Sequence, residues 1–166
     1  MLSQAKAEKD FESKIISTEG VVVPVYRLPH APDILPHYAT PGSAAMDIRA
    51  AISAPVSIGP LERALIPTGL VLMIPEGYEC QLRPRSGLAI KHGITLINGV
   101  GTIDSDYRDE VKVALVNLSQ ASYAIEPNER IAQMLFAKLL PIQWVLADAI
   151  DKTTDRKGGF GSTGLS

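Results

Sequence analysis

Arg85, Ser86 and Gly87 stand in a row inside PRSGLAIKHGI, the stretch from Pro84 to Ile94. A forked guanidinium, a hydroxyl donor and a backbone with no Cβ are groups that together grip a phosphate from several sides. The same residues also suit a strand-to-turn junction with a surface arginine, and the stretch alone leaves both readings open. Ser86 is a poor candidate for covalent attack, because the nearest histidine, His92, lies a few residues on in a strand-like context with no evident acid to orient it. A second stretch, NGVGTIDSDYRDE from Asn98 to Glu110, carries four acids and Tyr107 behind Asn98-Gly99, the strongest short hairpin signal in the chain. Asp104 or Asp106, held on such a turn, can orient and deprotonate a water; a solvated acidic turn has the same composition. GSAAMDIRA, from Gly42 to Ala50, sets the single acid Asp47 among small and apolar residues. A half-buried carboxylate there needs a partner or the water shell of an ion, whereas an Asp that caps a turn needs neither.

Residues 155–166 read DRKGGFGSTGLS. This glycine-rich stretch has too little apolar surface to offset the cost of ordering it alone, so a loose arm is expected. Its inventory is two cations (Arg156 and Lys157), one aromatic (Phe160), hydroxyls at Ser162 and Thr163, and backbone donors around Gly161. That set suits a polyphosphate attached to something flat. It is not a Walker loop, because the cations precede the glycines and no helix can follow.

Groups of this kind need a rigid scaffold, and the runs VVVPVYRL, ERALIPTGLVLMI, YECQLRP, GITLING, EVKVALVNLS and SYAIEP predict strands. They are β-branched or alternating, with Pro, Gly, Asn and Asp between them at close intervals, the pattern of an all-β barrel or sandwich. RIAQMLFAKLL is ambiguous. Ile131, Leu135 and Leu139 recur at helical spacing, but Pro127-Asn128 before it and Pro141 after it favour a turn and a limited length. Pro24, Pro67, Pro75 and Pro84 fall in or beside strand-like runs, where proline belongs on edges, so several edges need cover and a subunit interface is one way to supply it.

The 166 residues are enough for one domain with a real core. We divide them into a polar lead (1–20), a β-barrel domain (21–150) and the C-terminal arm (151–166). A formal charge of −2 argues against a nucleic-acid-gripping surface, which draws most of its affinity from clustered cations. The one cysteine, Cys80, offers neither a disulfide framework nor a zinc site and suits a reducing compartment. No stretch approaches a membrane span and the lead has no apolar core, so a cytoplasmic protein is expected.

With NERIAQ, Asn128 to Gln133, these stretches resemble in order and spacing the five motifs of the trimeric deoxyuridine triphosphatase (dUTPase) family, from about Val21 to Gly164. The resemblance implies a dUTPase-type β-barrel, jelly-roll-like, with a flexible C-terminal arm. It implies hydrolysis of dUTP to dUMP and pyrophosphate by attack of water on the α-phosphorus, which keeps uracil out of DNA and supplies dUMP for thymidylate synthesis. On that reading Asp104 activates the water and Tyr107 packs on the deoxyribose. Asn98 and the backbone of Gly101, Thr102 and Ile103 read the uracil edge. Arg85, Ser86, Gly87 and Gln133 contact phosphates and substrate, and Asp47 holds the water shell of Mg2+. Arg156, Phe160, Gly161, Ser162 and Thr163 form an arm that caps the γ-phosphate and stacks on the base. The family reading further implies a homotrimer whose sites are shared between subunits, and it makes RIAQMLF a strand.

Four residues, at three places, depart from the family pattern. Ala45-Met46 precede Asp47 where Gly and an aromatic are usual, and Asp109 and Asn128 replace glycines. Asn and Asp best tolerate a left-handed backbone, so both turns are expected to persist. The rival on the same fold, a dCTP deaminase or its bifunctional form, carries a serine-rich motif in place of S-G-L-A and a glutamate inside the strand after the hairpin. Here that strand reads VKVALVN, with Glu110 at its mouth. A non-catalytic nucleotide sensor is the alternative from another class.

Overall fold

In the computed structural model, which describes residues 20–150, the chain is strand-rich, as its punctuation predicts. The elements in order are β1 (Val25–Arg27), β2 (Met46–Arg49), β3 (Val56–Ile58), β4 (Arg63–Pro67), β5 (Leu70–Leu72), β6 (Tyr78–Arg83), α1 (Ser86–His92), β7 (Ile94–Leu96), β8 (Gly101–Ile103), β9 (Lys112–Asn117), β10 (Tyr123–Ile125) and β11 (Arg130–Lys138). The main sheet has the order β2-β11-β6-β8, and a second has β4-β9-β7. Pairs β1-β5 and β3-β10 complete the antiparallel, jelly-roll-like architecture. The inner faces share one core. Ile48, Leu82 and Met134 of the main sheet meet Ile66, Val113, Leu115 and Ile94 of the second, each 2% exposed or less. Burying a side chain of this size contributes about 1.5–3 kcal/mol, which makes this layer the main stabilising feature. No helix among the described residues is long and apolar enough to cross a membrane.

β11 resolves the ambiguous window. Its register against β2 shifts between Arg130 and Ala132, a bulge that turns both Ile131 and Ala132 inward before strict alternation continues through Met134. The helical spacing of Ile131, Leu135 and Leu139 therefore marks no common face: Ile131 is buried, Leu135 is half-buried beside Met134 on the other face, and Leu139 is exposed beyond the strand. Pro67 ends β4, an edge strand, as a proline should.

Two expectations are corrected. Ser86–His92 is a helix rather than strand-like chain: Leu88, Ala89 and Lys91 favour helix, and Gly93 closes it in the left-handed conformation (φ 69°), its N–H donating to Ala89 O. Seven residues with Leu88 alone buried make too short a pattern for periodicity to show. Asn98-Gly99 does form a tight turn, with Gly99 at φ 70° and its N–H bonded to Leu96 O. The turn closes no hairpin: β7 before it pairs with β9, and β8 after it pairs with β6, so it passes the chain from one sheet to the other.

Buried Asn117 joins strands to loops. Its amide N–H groups donate to Ile58 O and Ala121 O, both at 2.8 Å, and its carbonyl accepts from the N–H and hydroxyl of Ser119. Every site on the amide is satisfied, so this polar group costs the core little.

Candidate active site

Three strands of the main sheet converge on Asp47. On β2 it sits opposite Gln133 of β11, which in turn sits opposite Arg83 of β6. Its side chain is half-buried, as the sequence requires, and its partners are arginines. Arg85 Nε donates to Oδ1 at 3.2 Å and Arg130 Nη1 to Oδ2 at 3.1 Å. Arg85 also donates from Nη1 to Arg130 O at 2.8 Å, which fixes its guanidinium at both edges. The turn-capping alternative for Asp47 is thereby excluded, because Asp47 lies within a strand and bridges elements far apart in sequence. Arg130 went unrecognised in the sequence. The demand of Asp47 for a partner was legible, but which residue meets it depends on the register of β11 against β2, which sets Arg130 opposite Arg49, two residues along from Asp47.

Ser86 and Gly87 follow Arg85 as the exposed first residues of α1, so their hydroxyl and N–H groups face outward. His92, at the other end of α1, has a packing role. Its ring lies 4.7 Å from that of Tyr123. The Tyr123 hydroxyl donates to Glu129 Oε1 at 2.7 Å, and burial first, then that bond and the Glu129 charge, push its pKa up to about 12. Asn128, in the turn before β11, adopts the left-handed backbone expected of a glycine substitute (φ 64°), whereas Asp109 has no positive φ and needs no such tolerance.

The second group lies along β8 and the loop after it. Gly101 packs so closely that a Cβ would lie 3.1 Å from Leu82 Cβ and 3.3 Å from Asn98 Nδ2, which brings Asn98 against the start of the strand. Thr102 and Ile103 pair with Gln81 and Cys80. Asp104 follows, exposed, and among the described residues nothing engages its carboxylate. The Tyr107 N–H donates to Asp104 O at 3.2 Å, and the Tyr107 hydroxyl, on an exposed ring, donates to Glu110 O at 3.1 Å. A solvated carboxylate on a loop closed by its own hydrogen bonds is free to accept a proton from a water.

These two groups do not meet within one chain. Ile103 is level with Cys80, so Asp104 lies beside the start of β6, whereas Arg85 lies beyond its end. The intervening chain is extended, and at about 3.3 Å per residue the two are about 20 Å apart. Asp104 is also on the β8 edge, while Arg85 reaches across to β2. Arg156, Phe160, Gly161, Ser162 and Thr163 lie outside the described residues, as do most of the polar lead and the whole C-terminal arm.

Among the described residues no cluster of three or more His, Cys, Asp or Glu could cage a metal ion. A hard cation bound here would take most of its ligands from water and substrate phosphates, as Mg2+ does. Asp47 fits such an ion: each of its oxygens accepts one N–H and keeps a further lone pair for a metal-bound water.

The family model described as dUTPase matches residues 31–164. The deoxyuridine 5'-triphosphate nucleotidohydrolase of Fusobacterium nucleatum is 51% identical over 156 residues, which cover 94% of this chain and 99% of that protein. The dUTPase of Staphylococcus bacteriophage 80alpha, solved with dUpNHpp, matches at a TM-score of 0.77 and 25% identity, covering 88% of this chain and 100% of its own. A mutant dUTPase of phage phi11 of S. aureus, which coordinates a structural Mg(II) ion, shares the fold at a TM-score of 0.70 and 21% identity, covering 80% and 100% of the two chains.

Proposed function

The chain belongs to the dUTPase family, and on that footing we propose that it hydrolyses dUTP to dUMP and pyrophosphate at a site assembled from more than one copy of itself. The separation of Arg85 from Asp104 carries the second half of the reading. The triphosphate of a single nucleotide is too short to touch both groups of one chain, so the two halves act on one substrate only when different subunits supply them. Surface composition supports this. Leu65 and Ile97 are 61% and 46% exposed, and the consecutive Trp144, Val145 and Leu146 are 93%, 88% and 99% exposed, apolar side chains that a subunit contact would take out of water. A closed homotrimer with heterologous contacts would cover them.

In the mechanism, Asp104 takes a proton from the water that attacks the α-phosphorus, while pyrophosphate leaves from the opposite side. Tyr107 packs against the sugar and leaves no room for a 2′-hydroxyl. Arg85, with Ser86, Gly87 and Gln133, steadies the phosphates of a substrate whose reaction depends on positioning and charge neutralisation. Asn98 and the backbone of residues 101–103 present donors and acceptors to the uracil edge. Cytosine leaves such groups unpaired, a penalty that reaches roughly 10⁴-fold, and thymine is refused by a clash at its methyl. Mg2+, held through water by Asp47, would neutralise phosphate charge and orient the leaving pyrophosphate. Arg156 and Phe160 on the arm would cover the γ-phosphate and the base. Cys80, the single cysteine, suits the cytoplasm.

Glu110, the residue nearest in type to a deaminase glutamate, is already engaged by a backbone N–H and a histidine outside β9, which counts against the rival activity. Side-by-side incubation with dUTP, dCTP and dTTP should release pyrophosphate from dUTP alone and no ammonia from dCTP. Asp104→Asn should lower kcat by several orders of magnitude while nucleotide binding survives, and unchanged turnover would remove Asp104 from its role.

A further inference from the structure

Among the described residues, every hydrogen bond from loop 104–110 to the rest of the fold runs through one side chain, Glu110. Its Oε1 accepts from Gly69 N, between β4 and β5, at 2.8 Å, and from His30 Nε2, in the turn after β1, at 2.8 Å. Lys112 Nζ lies 3.9 Å from Oε2. An ionised carboxylate can only accept, so Nε2 of His30 carries the proton in this pair. The other bonds of the loop are internal: Tyr107 to Asp104 and Glu110, and Arg108 Nη1 to Ser105 O and Tyr107 O.

The turn bearing His30 is itself seated by Gly69. Leu28 N donates to Gly69 O at 2.8 Å and Ala31 N to Leu28 O at 2.9 Å. Gly69 has φ 71°, and a Cβ there would come within 2.4 Å of Ala31 Cα, so only glycine allows this approach. The chain of contact therefore runs from Gly69 to the 28–31 turn, to His30, to Glu110, and on to the backbone that carries Asp104 and Tyr107.

We propose that His30 and Glu110 are positioning residues that clamp the 104–110 loop, setting where the Asp104 carboxylate stands relative to substrate. This rests on the assignment of Asp104 as the water-activating group. A general base displaced by about 1 Å loses up to about a hundredfold in rate, and a loop held through Glu110 alone gains that freedom as its two bonds, to Gly69 N and to His30, are removed. Glu110 is 15% exposed and could carry folding as well, but His30 is 47% exposed and tests the clamp without disturbing the core.

The test compares His30→Ala, His30→Gln and Glu110→Ala in the full chain, by steady-state kinetics with dUTP and by amide hydrogen exchange. His30→Ala, which leaves the Gly69 N–H bond to Glu110, should keep the melting temperature and core exchange in place, accelerate exchange across residues 104–110, and lower kcat with a smaller change in KM. Glu110→Ala, which cuts both bonds, should lower kcat further, by up to about a hundredfold. His30→Gln, which restores an N–H donor, should recover most of both losses. Unchanged loop exchange in both alanine variants, or a glutamine no better than alanine, overturns the clamp. A loosened loop with unchanged kcat, in a protein that Asp104→Asn inactivates, overturns the positioning role. A loosened loop in a protein that Asp104→Asn leaves active upholds the clamp and removes the assignment of Asp104 instead.

Discussion

Arg85 is held to Asp47 through its Nε at 3.2 Å, so the side chain best suited to phosphate is oriented by a carboxylate two strands away across β11. The same guanidinium bonds Arg130 O, and this double hold depends on a planar fork. Lysine keeps the charge but cannot satisfy both acceptors in that plane. Arg85→Lys should therefore raise the KM for dUTP roughly tenfold, the loss of one charge-assisted hydrogen bond, while the thermal midpoint moves little. An unaltered KM would show that Arg85 faces away from substrate.

The opposite placement of Arg85 and Asp104 along β6 predicts complementation. Arg85→Ala and Asp104→Asn proteins, each inactive alone, should regain activity when denatured together and refolded. In a cyclic trimer every mixed assembly retains a site with both native residues, so equal mixing should restore about a quarter of the parental rate. Mixed trimers that are demonstrably formed yet inactive would place both residues in a single-chain site.

The strands were legible because their alternation is local: half-buried β surfaces require it residue by residue. What escaped depends on which strand lies next to which. The Asn98-Gly99 dipeptide specifies a tight turn but carries nothing about the partners of β7 and β8, so a sheet crossing read as a hairpin. The environment of Asp47 announced a partner, but the register of β11 against β2, which brings Arg130 near it, has no signature of its own in NERIAQ. Helix α1, two turns long with a single buried residue, lies below the length at which a period can be told from chance. Asn117 sits in an apolar run, and only the loop that returns over it reveals why a polar group belongs there.

Cutting that loop connection should be costly. Asn117→Leu deletes four hydrogen bonds and takes its side-chain partner from the buried Ile58 carbonyl and from the Ser119 N–H, while Ala121 O keeps the Ser119 hydroxyl. At about 1–3 kcal/mol for each buried group left unsatisfied, the urea midpoint should fall well below that of the parent. A variant of parental stability would mean that water reaches these groups.

The Cys80 thiol is fully buried, and burial, with the Glu79 charge second, pushes its pKa up to about 12. Only the thiolate attacks a disulfide reagent, so at neutral pH the native protein should stay unmodified for hours. Urea should expose one thiol per chain. Rapid stoichiometric labelling of the native state would mean that β6 opens readily from the core.

Tyr123 sets an alkaline limit on the fold. Its pKa rises from 10.0 to about 12 because burial and the bond to Glu129 favour the neutral phenol. A group whose pKa is raised on folding contributes stability that is complete below its unfolded value and lost as pH climbs through the folded one. The contribution of Tyr123 is therefore intact up to about pH 10 and disappears towards pH 12. Cys80 acts with the same sign from about pH 9, so the comparison must be made against the parent protein. Tyr123→Phe cannot ionise and also loses the donor to Glu129, so it should be less stable than the parent at pH 8 yet lose less stability between pH 10 and pH 12. Parallel curves of urea midpoint against pH for the two proteins would show that Tyr123 titrates in the folded state as it does in the unfolded chain.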